Sequence, residues 1–252
     1  RRTWDWIVPR LGEEYRTIAL DFRGHGKSGR APGDYQPQDY AGDAIAALEQ
    51  VAGRPAIVIG HSLGAVTAAT VAQQRPDLVA ALVLEDPPLG TLSEGDEAVH
   101  GNALFDAFRV MRETLPGAQS AGVPAEALAE LLAASPASSG GTMGDVVLAD
   151  AILDIAAGLL ELDVSVLDPV LDGTVRSVFA PHTPIPVRTL LLAADPTMPD
   201  ALAIPAHAEV VMRHSPQVER RVVEGAGHLI HDSIKSRDEF AREVDAFLST
   251  LD

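Results

Sequence analysis

The chain of 252 residues has no cysteine, which rules out a disulfide framework, a thiolate zinc site and a cysteine nucleophile. That usage fits a cytoplasmic protein. Basic residues are also scarce, 19 Lys and Arg against 36 Asp and Glu, for a formal net charge of −17. Such a surface repels phosphate backbones and anionic headgroups alike, so neither nucleic acid nor a membrane surface is expected as a partner. No apolar stretch approaches the roughly 20 residues that span a bilayer. The chain opens on Arg1 rather than on methionine, which leaves secretion through a removed upstream signal open. His100, His182, His207 and His214 are scattered without ligand spacing, so no metal site is expected.

What is present is a core-forming chain, 46% hydrophobic, long enough for one large α/β domain with an insertion. Thr17-Ile18-Ala19-Leu20 reads as a buried strand. Tyr40, Ala44, Ala47, Leu48 and Val51 recur at helical spacing ahead of a second apolar run, Ala56 to Ile59. Pro76 stops the next helix, and Ala80 to Leu84 gives another strand. Strands alternating with helices predict a mostly parallel central sheet flanked by helices. Residues 87–186 change character, with helical runs around Phe105 to Met111, Glu126 to Leu132 and Ile152 to Leu160 separated by Gly/Pro/Ser breaks. That block reads as an inserted helical module. The sheet pattern resumes at Val187 to Ala193 and Val218 to Val223. The C-terminal helix carries Phe240, Val244, Phe247, Leu248 and Leu251 on one face, with Ser236 and Glu239 as a capping box.

The chemistry-bearing motif is Gly60-His61-Ser62-Leu63-Gly64, a G-x-S-x-G nucleophile elbow with an apolar strand before it and a helical pattern after it. The turn is sharp, so small residues are expected at both Gly60 and Gly64. A serine hydroxyl needs a base, and His228 in Gly225-Ala226-Gly227-His228 follows the last predicted strand, where it can reach the elbow. His231 reads as supporting structure. His61, the variable residue of the elbow, is expected to pack and to border the substrate. A phosphate loop at Gly24-His25-Gly26-Lys27-Ser28 is excluded, because Asp21 stands where that motif needs a glycine.

With Asp21-Phe22-Arg23-Gly24-His25-Gly26-Lys27-Ser28 matching a D-x-R-G-x-G-x-S loop, the elbow, and the histidine loop in this order, the chain resembles the α/β-hydrolase family. The resemblance implies an eight-stranded, mostly parallel sheet with a helical cap after the sixth strand. The core would then be residues 1–86 and 187–252, and the cap residues 87–186. It also implies hydrolysis through an acyl-enzyme without a cofactor, with the Leu63 N–H as one oxyanion donor. Arg1 to Trp6 resembles the helix just after the family's His-Gly loop, so the strand and loop that carry the second donor are expected upstream of Arg1. The family places its acid after the seventh strand, which suggests Asp195, or in some members after the sixth, which suggests Asp86, 24 residues past Ser62. Asp86 is favoured, with Asp195 as the alternative.

The expected activity is a serine esterase or lactonase acting on a small to medium, apolar small-molecule substrate. Phe108 and Met111 of the insertion are expected to line its pocket. The same triad could run C–C bond hydrolysis or perhydrolysis, and a non-catalytic binding protein on this fold is the alternative of another class. The sequence leaves the oligomeric state open.

Overall fold

The apolar runs form strands because their side chains fill both faces of a parallel sheet at once. The computed structural model describes residues 1–90 and 103–251. In chain order it contains α1 Pro37–Ala47, β1 Ala56–His61, α2 Leu63–Gln74, β2 Val79–Glu85, α3 Ala103–Ser120, α4 Ala125–Ala134, α5 Ala149–Leu160, β3 Arg188–Ala194, α6 Pro205–His214, β4 Val218–Val223 and α7 Arg237–Leu248. Shorter helical turns join them. The four strands lie in the order β1-β2-β3-β4, all parallel.

Each strand divides its side chains between two cores. From β2, Leu82 and Leu84 face α1, α2 and α6, while Ala81 and Val83 face α7. Alanines 65, 68, 69 and 72 let α2 lie close to the sheet, and Phe240, Val244 and Phe247 fill the opposite layer. Helices α3, α4 and α5 stand between β2 and β3 in the chain; α4 and α5 share a small core around Val147, Ala151 and Ile152, and Phe105 of α3 packs with Leu202. Among the described residues no helix is long and apolar enough to cross a membrane.

Three expectations are corrected. Thr17–Leu20 is not a strand: no described strand pairs with it, and Ile18 and Leu20 are 46% and 44% exposed. Apolar sequence alone does not make a strand, since the backbone needs a ladder partner. Four strands rather than eight are formed among the described residues. The Ser236–Glu239 capping box does not form; the Ser236 hydroxyl donates instead to the carbonyl of Ile230 at 2.8 Å. His100 and the stretch 91–102 of the insertion lie outside the described residues.

Candidate active site

The ends of β1 and β2 are level, with His61 opposite Glu85, so the residues just past them meet. Ser62 sits at the turn from β1 into α2 with φ 53° and ψ −117°, a conformation that L-residues rarely adopt. Its backbone N–H donates to the carbonyl of Glu85 at 2.9 Å, and its own carbonyl accepts from Ala65 and Val66 as the helix begins. The crowding falls on Gly60, where a Cβ would stand 2.4 Å from the Gly64 carbonyl oxygen and 2.7 Å from the Ala65 nitrogen. Gly64, expected to be equally constrained, has open space around it. The reason is position: Gly60 lies under the first helical turn, and Gly64 belongs to that turn.

Leu63 opens α2, and the first N–H groups of a helix have no acceptor within it. The helix dipole adds partial positive charge there, which suits a developing oxyanion.

Asp86 follows β2 directly, also at positive φ, 39°. Its Oδ2 lies 2.7 Å from Nδ1 of His228 and 2.9 Å from the N–H of Leu202, and its Oδ1 accepts from Ala194 and Ala203 at 3.1 and 3.0 Å. Burial by itself would raise its pKa. The hydrogen bonds from His228 and from the Leu202 and Ala203 backbone outweigh that and hold the carboxyl below its ordinary value. An ionised carboxylate only accepts, so the Nδ1 proton resides on His228 and Nε2 is left as the basic nitrogen.

Asp195 is placed otherwise. It is half-buried and accepts from the N–H and hydroxyl of Thr197, at 2.9 and 2.6 Å, and from the N–H of Gly225 at 2.9 Å. These bonds, the Thr197 hydroxyl first, depress its pKa and make it a staple for the loop that leads to His228. Of the two carboxylates weighed for the imidazole, Asp86 is the one bonded to it.

His61 is not part of the wall of the cavity at the elbow. Its Nε2 contacts the carbonyl oxygen of His228 at 3.0 Å, and the two rings are 4.4 Å apart, which brings the His228 imidazole beside the elbow. Desolvation lowers the His61 pKa to about 3, so the ring is neutral and its Nε2 donates to that carbonyl.

Sequence reading missed Glu85, whose fully buried carboxyl binds His231, three residues beyond His228. The available signal was a charged residue closing the apolar run Ala80 to Leu84. Trp4 stacks flat on the His231 ring, with centroids 4.3 Å apart at 4°.

A cavity of about 390 Å³ opens at the elbow, a size typical of small-molecule sites. Ser62 and Leu63 belong to its wall, as do Phe108 and Met111 of α3 and Ile155 and Leu159 of α5. His228 and Asp86 are buried and are not part of that wall.

A strained serine between a parallel strand and a helix, beside a buried carboxylate–imidazole pair, defines the site class of hydrolytic α/β enzymes. The model of the alpha/beta hydrolase family matches residues 1–243, and the chain belongs to that family. It is 34% identical over 127 residues to the 2-(acetamidomethylene)succinate hydrolase of Mesorhizobium japonicum, covering 48% of this chain and 45% of that protein. It is also 35% identical over 120 residues to the esterase Rv0045c of Mycobacterium tuberculosis, covering 43% and 40%. The chain thus matches less than half the length of either relative. The crystal structure of E-2-(acetamidomethylene)succinate hydrolase superposes with a TM-score of 0.72 at 24% identity, covering 98% of this chain and 87% of that one, a likeness of fold.

Proposed function

We propose that this member of the family is a serine hydrolase that cleaves an ester or lactone of a small to medium apolar substrate through an acyl-enzyme. The observation that carries the reading is the 2.7 Å bond from His228 to buried Asp86 beside the strained Ser62. Ser62 Oγ attacks the carbonyl carbon while its proton passes to Nε2 of His228, and the Leu63 N–H receives the oxyanion. The imidazolium, steadied by Asp86, returns the proton to the departing alkoxide; water then repeats the sequence on the acyl-enzyme and releases the acid. No cofactor enters these steps.

Residues 87–186 act as the cap in this reading, with residues 1–86 and 187–252 as the catalytic core. Phe108 and Met111 set the room for the substrate. The absence of cysteine supports a cytoplasmic setting. The test is covalent labelling by a fluorophosphonate, which the wild type should show and Ser62→Ala should lose. A folded protein that never labels overturns the reading in favour of a binding protein. Labelling without turnover of any ester or lactone in a graded panel turns it toward C–C hydrolysis or perhydrolysis.

A further inference from the structure

Beside the Asp86–His228 pair lies a second set of buried titratable groups that the proposed reaction does not use: Glu85 is 0% exposed, and His231 and Asp232 are 1% each. They form a line. Oε2 of Glu85 stands 2.7 Å from Nδ1 of the His231 ring, while Oε1 accepts the His231 backbone N–H at 2.9 Å. The other ring nitrogen, Nε2, has no hydrogen-bond partner among the described residues and lies 3.4 Å from Oδ2 of Asp232. Arg237 is 3.6 Å from Oδ1 of Asp232, donates to the His231 carbonyl at 3.0 Å and pairs with Asp150 of α5 at 2.7 Å. The line thus runs from the end of β2, through the loop that bears His228, to the insertion.

The His231 ring has one proton to place. Burial lowers its pKa to about 4, so near neutral pH the imidazole is uncharged, and burial raises Asp232 only to about 6, so that carboxyl is ionised above this. A proton on Nε2 is attracted to the Asp232 carboxylate, whereas a bare lone pair there is repelled by it. Nε2 keeps the proton when Nδ1 accepts, and the only group at Nδ1 is Glu85, which must itself be protonated to donate. Burial holds the Glu85 carboxyl up to about 7. The groups that face it are neutral His61 from β1, its neighbour Asp86, and His228 and His231 of the loop; past the ring stand Asp232, Arg237 of α7 and Asp150 of α5.

We propose that Glu85 is a positioning residue for the base: protonated, it donates to Nδ1 of His231, leaves Nε2–H toward Asp232 and holds the His228 loop in place; ionised, it turns a lone pair on Asp232 and loosens that loop. The inference rests on Ser62 as nucleophile and His228 as base. On ionisation the carboxyl proton passes to Nδ1 and the Nε2 proton leaves to solvent, one proton lost in all. Neither Glu85 nor His231 belongs to the cavity wall, so the effect falls on turnover rather than on substrate binding.

Glu85→Gln is the diagnostic variant. Its amide oxygen accepts the His231 N–H and its amide nitrogen donates to Nδ1 at every pH, so it copies the protonated acid permanently. With active sites counted by fluorophosphonate, kcat is measured on p-nitrophenyl acetate for both proteins. The ratio of Glu85→Gln to wild type should rise about threefold or more from about pH 6 to pH 8.5, with the two KM values within about twofold of each other. Glu85→Leu removes both bonds and should lose about tenfold or more in kcat throughout. The ring gives a readout independent of activity: by NMR, His231 should pass from the Nε2–H to the Nδ1–H tautomer over this range in wild type and stay Nε2–H in Glu85→Gln. A ratio that stays flat or falls with pH, a change carried by KM alone, or a single His231 tautomer throughout in wild type overturns the proposal. A wild type that labels but shows a flat ratio sinks only this inference; one that never labels sinks the Ser62 reading and the role of Glu85 with it.

Discussion

Glu85 grips His231 at two points: Oε1 accepts the backbone N–H at 2.9 Å, and Oε2 lies 2.7 Å from the ring Nδ1. Its chain neighbour Asp86 holds His228 in the same way through one oxygen. Two successive residues at the end of β2 therefore anchor two histidines of one loop. Burial pushes the Glu85 carboxyl up to about 7 and the His231 ring down to about 4, so the charged form of the pair is disfavoured.

The raised carboxyl gives a pH signature. Unfolded, Glu85 ionises near its ordinary 4.5; folded, it keeps its proton to about 7. The native state binds more protons in that window, so this contribution to wild-type stability is full below 4.5 and is lost as pH rises through 7. Glu85→Gln does not titrate. Its melting midpoint should rise relative to that of wild type by several degrees across the window, measured in parallel scans. A constant offset would show that Glu85 has the same charge at both ends.

Asp86→Asn removes the acceptor that fixes the His228 tautomer, and turnover on a good ester should drop about 10⁴-fold with the fold retained. Asp195→Asn loosens only exposed loop contacts and should stay within about fivefold of wild type. Equal losses would contradict the geometry at His228.

Gly60→Ala forces a Cβ against backbone atoms that have no rotamer to escape through. Urea denaturation should show a loss of about 1–3 kcal/mol or more, together with loss of labelling at Ser62. Gly64→Ala meets open space and should keep the fold, within about 1 kcal/mol of wild type.

Phe108→Ala or Met111→Ala removes side-chain volume from the cavity wall. The preferred acyl group in an ester panel should become longer or bulkier, with labelling at Ser62 retained. An unchanged ranking would separate α3 from specificity.

The elbow was legible because backbone crowding demands a glycine at one fixed offset, and β2 and β3 were legible because strands buried on both faces read as apolar runs. The same rule misled at Thr17–Leu20, where the run has no described partner strand and Ile18 and Leu20 remain exposed. Spacing pointed to Asp86 but could not show three backbone donors converging on it. Glu85 and His231 are 146 residues apart in the chain, and only the register of β2 against the later loop brings them together. Ser236 has the right type for a helix cap, yet the nearer Ile230 carbonyl takes its hydroxyl.

The insertion is stitched to the histidine loop. Val147 bridges Ser233, the Leu148 N–H donates to Asp232, the Ile234 N–H donates to Val146, and Arg237 pairs with Asp150 at 2.7 Å. The segment that borders the cavity and the loop that bears His228 are thus tied together at this seam. Grafting a foreign segment in place of this one would also shift the His228 ring, unless residues 146–150 travel as part of the recipient.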